Sequence, residues 1–217
     1  MSLKLYFHPL ASFCWKPLIA LYENGTPFEP VLVDLGNAES RAAFLAVWPI
    51  GKFPVLRDDA RAKTVPESSI IIEYLAQHYP GPSLLVPSDP DLARETRLLD
   101  RFYDSYVMEQ MQKVVGDRIR PDGKQDPFGV EQAKAALRAS YSVCEQALAG
   151  KTWAIADSFS MADCSAAPAL YYADKVVPLG DAHPNTAAYL KRLCARPSFA
   201  RVLREAEPYF KLFPQDK

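Results

Sequence analysis

The stretch Trp48–Leu56, WPIGKFPVL, followed by Pro66–Leu75, PESSIIIEYL, decides the fold of this chain. Pro54 precedes an apolar pair that is typical of a strand start, and proline cannot donate a hydrogen bond to a neighbouring strand. A cis bond before Pro54 is one interpretation, because it would turn the backbone N–H and C=O of Phe53 outward to pair with an extended peptide. An ordinary trans proline at a strand start is the alternative.

Glu67 and Ser68 open an apolar helical run directly after Pro66. A helix N-terminus offers free backbone N–H groups and partial positive charge, which suit a carboxylate, and the Glu67 side chain can accept a hydrogen bond from an ammonium group. Together with the Pro54 segment, this pattern predicts a site for a small zwitterionic peptide. Plain capping of the helix by the Glu-Ser pair is the alternative.

These motifs resemble the glutathione transferase superfamily, whose N-terminal domain is thioredoxin-like. The match is Gly51–Pro54 with Pro66–Ser68 at the expected spacing, and Ser160 extends it over nearly the whole chain. The resemblance implies that glutathione is a co-substrate, with no further cofactor and no metal. It also implies that the glutathione site includes Lys52, Phe53, Pro54, Glu67 and Ser68.

The predicted fold is an α/β thioredoxin-like domain over residues 1–79, a linker over 80–90 and an all-α helical domain over 91–217. The order of patterns in the first domain is βαβ-α-ββα. Four prolines within residues 80–90 mark the linker. Ser160 and Asp163 predict a capping box at a helix start in the second domain, and the resemblance implies that this helix is buried.

Composition and charge limit the classes of partner. The chain has 217 residues, 49% of them hydrophobic, and 25 Lys and Arg balance 26 Asp and Glu, which argues against nucleic acid and anionic membranes. No apolar run reaches the roughly 18 residues of a spanning helix, and the first residues lack a signal-peptide pattern, so we expect a cytoplasmic protein. The four cysteines lie far apart without a CxxC motif, which predicts neither a zinc site nor a disulfide framework.

The thiol of a glutathione bound in this way should point toward the start of the first helix, where residues 9–15 are PLASFCW. The thiolate is the reactive form, and lowering a thiol pKa of about 8.5 by about two units needs roughly 2.7 kcal/mol. A hydroxyl donor and the helix N-terminus can supply that preference. Ser12 is the first candidate donor. The resemblance puts Ala11 where several serine-type classes keep their catalytic serine, and Ser12 where the zeta class has the second of two serines.

Two other residues are rivals for the reacting end. Cys14 at the helix start could form a mixed disulfide with glutathione, as a nearby cysteine does in omega-like and beta-like members of the superfamily. Tyr6, near the end of the first strand, resembles the tyrosine of the tyrosine-type classes. Each of the three residues also has a purely structural explanation. Ser12 would only cap the helix, Cys14 would be buried and inert, and Tyr6 would belong to the core.

The electrophile pocket is expected between the domains, where clefts are usual. Its candidate residues are Phe13, Tyr103, Tyr106 and Met111. An aromatic and methionine stripe at helical spacing is more often part of a core than of a ligand pocket.

The resemblance implies a glutathione transferase that activates glutathione as a thiolate for attack on a small hydrophobic electrophile, as in detoxification. One alternative is a glutathione-dependent thiol transferase or disulfide reductase that uses Cys14. Another is a non-catalytic member that binds a partner protein. This alternative stays open because Ala11 stands where several serine-type classes keep their catalytic serine. The resemblance also implies a two-fold homodimer, in which the N-terminal domain of one subunit meets the long helices of the other.

Overall fold

The computed structural model describes residues 2–155 and 157–215, so the predicted domain ends at residues 1 and 217 lie outside the described residues. The first domain contains four strands, β1 (Leu3–Phe7), β2 (Glu29–Leu32), β3 (Val55–Asp58) and β4 (Lys63–Pro66). Their order in the sheet is β2-β1-β3-β4. β1 is parallel to β2 and antiparallel to β3, and β3 is antiparallel to β4. This mixed sheet confirms the predicted α/β class of the first domain.

Three helices flank the sheet, α1 (Ser12–Glu23), α2 (Ala38–Val47) and α3 (Ser68–His78). Side chains alternate between the faces of a strand. In β1, Leu5 therefore packs in the main core with α1 and α3, whereas Tyr6 packs in a smaller cluster around Phe44 of α2. The element order βαβ-α-ββα is confirmed. No helix or strand lies between His78 and Pro90.

The second domain is helical, as predicted. Its helices are α4 (Pro90–Phe102), α5 (Glu109–Arg118), α6 (Pro127–Ala147), α7 (Met161–Val176), α8 (Pro184–Ala195), α9 (Pro197–Ala206) and a 3-10 helix (Glu207–Leu212). A π-helical turn, Tyr103–Met108, joins α4 to α5. The turn shifts the helical register between α4 and α5, because each π-type hydrogen bond spans one extra residue.

The central helix α7 is buried along most of its length and packs against α1 of the first domain. At the start of α7, Asp163 is the acidic residue predicted for the capping box. Its carboxylate accepts a hydrogen bond of 2.8 Å from the backbone N–H of Ser160. The same carboxylate accepts from Ala154 N–H at 2.9 Å and from the Tyr189 hydroxyl at 2.6 Å. Asp163 therefore holds α7, α8 and the preceding loop together.

The described residues contain neither a membrane-spanning helix nor a metal-binding cluster. None of the helices in residues 2–155 and 157–215 is long and apolar enough to cross a membrane. The same residues contain no group of three or more His, Cys, Asp or Glu side chains that could hold a metal ion.

A buried lysine lies where the two domains meet. Lys16 of α1 is 0% exposed, and its ammonium nitrogen lies 2.9 Å from Asp100 Oδ1 and 2.7 Å from Asp104 Oδ2. Lys16 also donates to the Ser69 hydroxyl at 2.9 Å, and that hydroxyl donates to Asp100 at 2.7 Å. Ser165 of α7 donates to the other oxygen of Asp100. This cluster connects α1, α3, α4, α7 and the π-helical turn.

The cluster places one cation between two carboxylates inside the protein. Removing each charge from water costs several kcal/mol, which only close pairing and additional hydrogen bonds offset. Burial raises the pKa of Asp104 above its usual value, although the Lys16 ammonium acts in the opposite direction. Without the lysine, two carboxylates would face each other in the domain interface.

We expect Lys16→Met to lower the free energy of unfolding by about 3–5 kcal/mol, the usual cost of leaving buried charges without their partner. Adding Asp104→Asn to Lys16→Met should recover part of that loss, because it removes one of the two facing carboxylates. Urea denaturation at neutral pH measures both effects. Lys134→Met is the matched control, since its ion pair with Glu131 is accessible to solvent and should contribute less than about 1 kcal/mol. Equal losses of unfolding free energy in Lys16→Met and Lys134→Met would contradict a stabilising role of the buried cluster.

Candidate functional site

A cleft of about 650 Å³ opens between the two domains. Every residue that the sequence predicted for the glutathione site lines it, namely Lys52, Phe53, Pro54, Glu67 and Ser68. The opposite wall comes from α4, the π-helical turn and α5. The structure therefore brings together two sequence segments that were expected to act as one site.

The loop before β3 forms one side of the cleft. The peptide bond between Phe53 and Pro54 is cis, as predicted. The Phe53 ring packs between Phe44 and His8, with centroid distances of 6.0 and 6.2 Å. Gly51 has φ +70°, and a Cβ there would lie 3.1 Å from a Leu45 methyl carbon, so glycine meets both the backbone and the packing requirement. These contacts hold the Phe53 backbone at the edge of the cleft.

The start of α3 forms the adjoining side. Glu67 is the N-cap residue, with φ 71° and ψ 121°, and its side chain makes no capping hydrogen bond. The expectation of plain capping is therefore not met at Glu67. A non-glycine residue in this sparsely populated region is strained, and such strain is concentrated at ligand sites. Ser68, Ser69 and Ile70 follow in the first turn and line the cleft, where the N–H groups of a helix start lack intrahelical partners.

Charged side chains of both signs line the cleft. The cations are Lys52, Arg97 and Arg101, and the carboxylates are Glu67, Glu73, Asp100, Asp104 and Glu109. Arg97 donates two hydrogen bonds to Glu73, of 2.8 and 3.0 Å, and thereby joins α4 to α3 across the cleft. A ligand that carries both an ammonium group and carboxylates has complementary groups in this cleft.

Asp100, Arg101 and Asp104 line the cleft, and none of them was predicted from the sequence as part of the site. The missed signal is the spacing of the buried residues of this helical segment. Ala93, Thr96, Asp100, Asp104 and Val107 are all buried, at intervals of three or four residues. Carboxylates within such a stripe indicate a buried polar cluster, because an unpaired charge there would be costly.

Ser12 lies at a second cavity, of about 420 Å³, beside the cleft. It is the first residue of α1, and Ala11, with no side-chain cap, is the N-cap. Ser12 therefore does not cap the helix. Gln112 of α5 lines both cavities, and Phe13, the neighbour of Ser12, lines the cleft. The Ser12–Phe13 step thus lies where the two cavities approach each other.

Two buried side chains fix the loop before Ser12. The Trp15 indole N–H donates to the Pro9 carbonyl at 2.6 Å, and the Tyr172 hydroxyl donates to the Leu10 carbonyl at 2.9 Å. Trp15 is 0% exposed and Tyr172 is 1% exposed. These bonds hold the backbone that carries Ser12 against α7.

The two rival residues, Cys14 and Tyr6, lie in environments different from that of Ser12. Cys14 is fully buried in the core, and burial raises the pKa of its thiol, which disfavours the reactive thiolate. Tyr6 lies on the α2 face of the sheet, with its ring 5.9 Å from that of Phe44, and it lines a separate groove between β2 and α2. Neither side chain lines the cleft or the cavity beside Ser12.

The four residues expected at the electrophile pocket lie in four different environments. Met111 lines the cavity beside Ser12, and Phe13 lines the cleft. Tyr103 is only 2% exposed and packs in the core, where burial raises the pKa of its hydroxyl. Tyr106 is 60% exposed, and its ring centroid lies 5.5 Å from that of Phe102. The expectation for Tyr103 and Tyr106 is corrected, because the π-helical turn directs one inward and the other to solvent.

Comparison with known proteins agrees with this architecture. The chain matches the family models of the glutathione S-transferase N-terminal domain over residues 5–83 and the glutathione S-transferase C-terminal domain over residues 103–197. It is 29% identical to glutathione S-transferase F13 of Arabidopsis thaliana over 210 residues, which cover 93% of this chain and 95% of that protein.

Solved structures show the same likeness. A glutathione S-transferase from Methylobacillus flagellatus with glutathione bound has a TM-score of 0.84 and 25% identity, and the match covers 93% of this chain and 98% of that one. The beta-etherase LigF of Sphingobium sp. has a TM-score of 0.80 and 25% identity over 94% of this chain and all of that one. The fold, the two family models and these relatives together show that the chain belongs to the glutathione transferase superfamily.

Proposed function

We propose that this protein binds glutathione in the interdomain cleft and activates its thiol as a thiolate for conjugation to small electrophiles. The observation that carries this proposal is the arrangement of the two cavities. A cleft with charges of both signs adjoins an apolar cavity, and Ser12 lines the second cavity where the two approach each other. A peptide thiol held in the first cavity can thus meet an apolar reactant in the second.

The groups of glutathione find complementary partners in the cleft. The first turn of α3 suits one carboxylate, Lys52 suits the other, and the Glu67 carboxylate suits the ammonium group. The backbone at Phe53 can pair with the cysteinyl residue as a strand edge does. The relative from Methylobacillus flagellatus has glutathione bound, which supports glutathione as the ligand.

Ser12 is the residue that we propose to activate the thiol. Its hydroxyl can donate a hydrogen bond to the sulfur, and the first turn of α1 contains no acidic residue that would oppose a negative charge. The thiolate then attacks the electrophilic carbon, a C–S bond forms, and the leaving group departs with the bonding electrons. The complete burial of Cys14 favours this reaction over disulfide exchange through that residue.

We expect Ser12→Ala to lower kcat/KM for 1-chloro-2,4-dinitrobenzene by roughly 10- to 150-fold, because a hydrogen bond to a charged group contributes about 1.5–3 kcal/mol. The pKa of the bound thiol should rise in this variant. The loss should therefore shrink as the pH increases toward about 9, where the thiol ionises without assistance. A pH profile of kcat/KM measures both effects.

Cys14→Ala is the control for this measurement, and its kcat/KM should stay close to that of the wild type. A large loss in Cys14→Ala with full activity in Ser12→Ala would assign the reaction to the cysteine and contradict the proposal.

We expect Glu67→Ala and Ser68→Ala each to raise the KM for glutathione by roughly 10- to 150-fold, since each removes a hydrogen bond to a charged group of the ligand. Circular dichroism should show an unchanged fold. Glu95→Ala, which removes an exposed carboxylate from α4, is the matched control and should leave KM unchanged. If both site variants keep the wild-type KM, glutathione binds elsewhere.

We also propose that the protein is a homodimer whose contact lies along α3 and α4 at the rim of the cleft. Ile70 is 52% exposed and Leu98 is 65% exposed, and the Glu73–Arg97 pair joins the two helices beside them. Isolated exposed apolar residues are common on monomers, so the mass in solution is the decisive observation.

Sedimentation at micromolar concentration should give a mass near twice 24.2 kDa. Leu98→Lys should shift the protein toward the monomer, because it places a charge in the apolar contact. Leu84→Lys, at a residue that is 66% exposed in the segment between the domains, is the control and should remain dimeric. A wild-type monomer that still turns over substrate would refute the dimer and leave the site intact.

A further inference from the structure

The cavity beside Ser12 has an apolar lining. Its main apolar contributors are Leu10, Met111, Val115, Tyr172, Leu212 and Phe213. Ser12 and Gln112 add a hydroxyl and an amide, and none of the described residues that line the cavity carries a charge. An ion would lose its hydration here without gaining a charged partner. The lining thus favours a neutral ligand.

Aromatic and sulfur groups give this lining its character. The rings of Tyr172 and Phe213 stack with centroids 5.5 Å apart and planes 25° apart. The Tyr172 hydroxyl is already engaged by the Leu10 carbonyl at 2.9 Å. The thioether of Met111 adds a polarizable surface that contacts aromatic rings favourably. A flat aromatic ligand matches these groups.

Gly116 lines the same cavity from within α5, and neither of the usual reasons for glycine applies there. Its φ lies outside the positive range that favours glycine, and a Cβ at this position would meet no heavy atom of a neighbouring element within 4 Å. Glycine is also among the least favourable residues in a helix interior. Because glycine has no side chain, open space remains in the cavity at this position.

We propose that Gly116 sets the width of this cavity, and that the open space admits neutral aromatic electrophiles with two fused rings. The inference rests on the proposed function, because it assigns this cavity to the electrophile. A volume of about 420 Å³ lies within the range of about 300–1,000 Å³ that is usual for small-molecule pockets.

The reaction with such a ligand is a simple displacement. For 1-(bromomethyl)naphthalene, the glutathione thiolate attacks the benzylic carbon, a C–S bond forms and the C–Br bond breaks, with its electron pair leaving on bromide. The thiol proton passes to solvent. Benzyl bromide reacts at an equivalent carbon but lacks the second ring, so the two compounds and their conjugates form a matched pair.

The test measures binding of the two conjugates by calorimetry in the wild type, Gly116→Ala and Gly116→Leu. The wild type should bind S-(1-naphthylmethyl)glutathione at least as tightly as S-benzylglutathione. Gly116→Leu should lose about tenfold or more in affinity for the naphthyl conjugate relative to the benzyl conjugate, because a filled apolar pocket discriminates by size to that extent. Gly116→Ala should bind both conjugates nearly as the wild type does.

Two controls separate a filled cavity from a damaged fold. Lys113→Leu adds the same side chain at an exposed position of α5 and should leave both affinities unchanged. The melting temperature of Gly116→Leu should not fall, since leucine is a better helix former than glycine.

The outcomes distinguish this inference from the proposed function. Equal affinities of the wild type and Gly116→Leu for the naphthyl conjugate would overturn the role of Gly116, whatever the enzyme turns over. Selective loss of the naphthyl conjugate without turnover of either bromide by the wild type would uphold the role of Gly116 and overturn the conjugation activity. Failure of the wild type to bind either conjugate would overturn both.

Discussion

The buried ammonium group of Lys16 is the constraint on which the rest of the structure depends. A charge that is fully removed from water requires close partners, and those partners are Asp100 and Asp104 of the second domain and Ser69 of the first. The same three partners line the cleft. The interaction that fixes the two domains against each other therefore also sets the position of the cleft walls, so the stability of the domain interface and the shape of the cleft depend on one set of side chains.

The two cavities differ in chemistry over a short distance. Charges of both signs line the interdomain cleft, whereas the lining beside Ser12 is apolar and uncharged. A charged peptide and an apolar reactant would each find the environment that they prefer, with the peptide sulfur between them. The change from charged to apolar lining occurs at the start of α1, because consecutive residues there face different cavities. Phe13 lines the cleft, Ser12 lines the apolar cavity, and Gln112 of α5 borders both.

Local signals in the sequence predicted much of the fold and one side of the cleft. Pro54 and the Glu67–Ser68 pair each require a particular backbone, and such requirements are visible in a few consecutive residues. Asp100 and Asp104 were not assigned to the site, because a charged residue on an amphipathic helix usually faces water and the partner Lys16 is distant in sequence. The opposite exposures of Tyr103 and Tyr106 depend on the π-helical turn, which periodicity does not indicate. Cys14 and Ser12 lie in the first turn of the same helix. Only the packing of the folded protein shows that Cys14 is buried in the core whereas Ser12 lines a cavity.

We propose that glutathione lies in the interdomain cleft with its sulfur at Ser12, and a crystal structure of the protein with glutathione would test this position. We expect that the peptide backbone runs along Phe53, that the γ-glutamyl end meets the start of α3, and that the sulfur lies within hydrogen-bond reach of the Ser12 hydroxyl, at about 3–3.5 Å. A glutathione bound outside the cleft, or one whose sulfur points toward β2 and α2 on the Tyr6 side of the sheet, would contradict it.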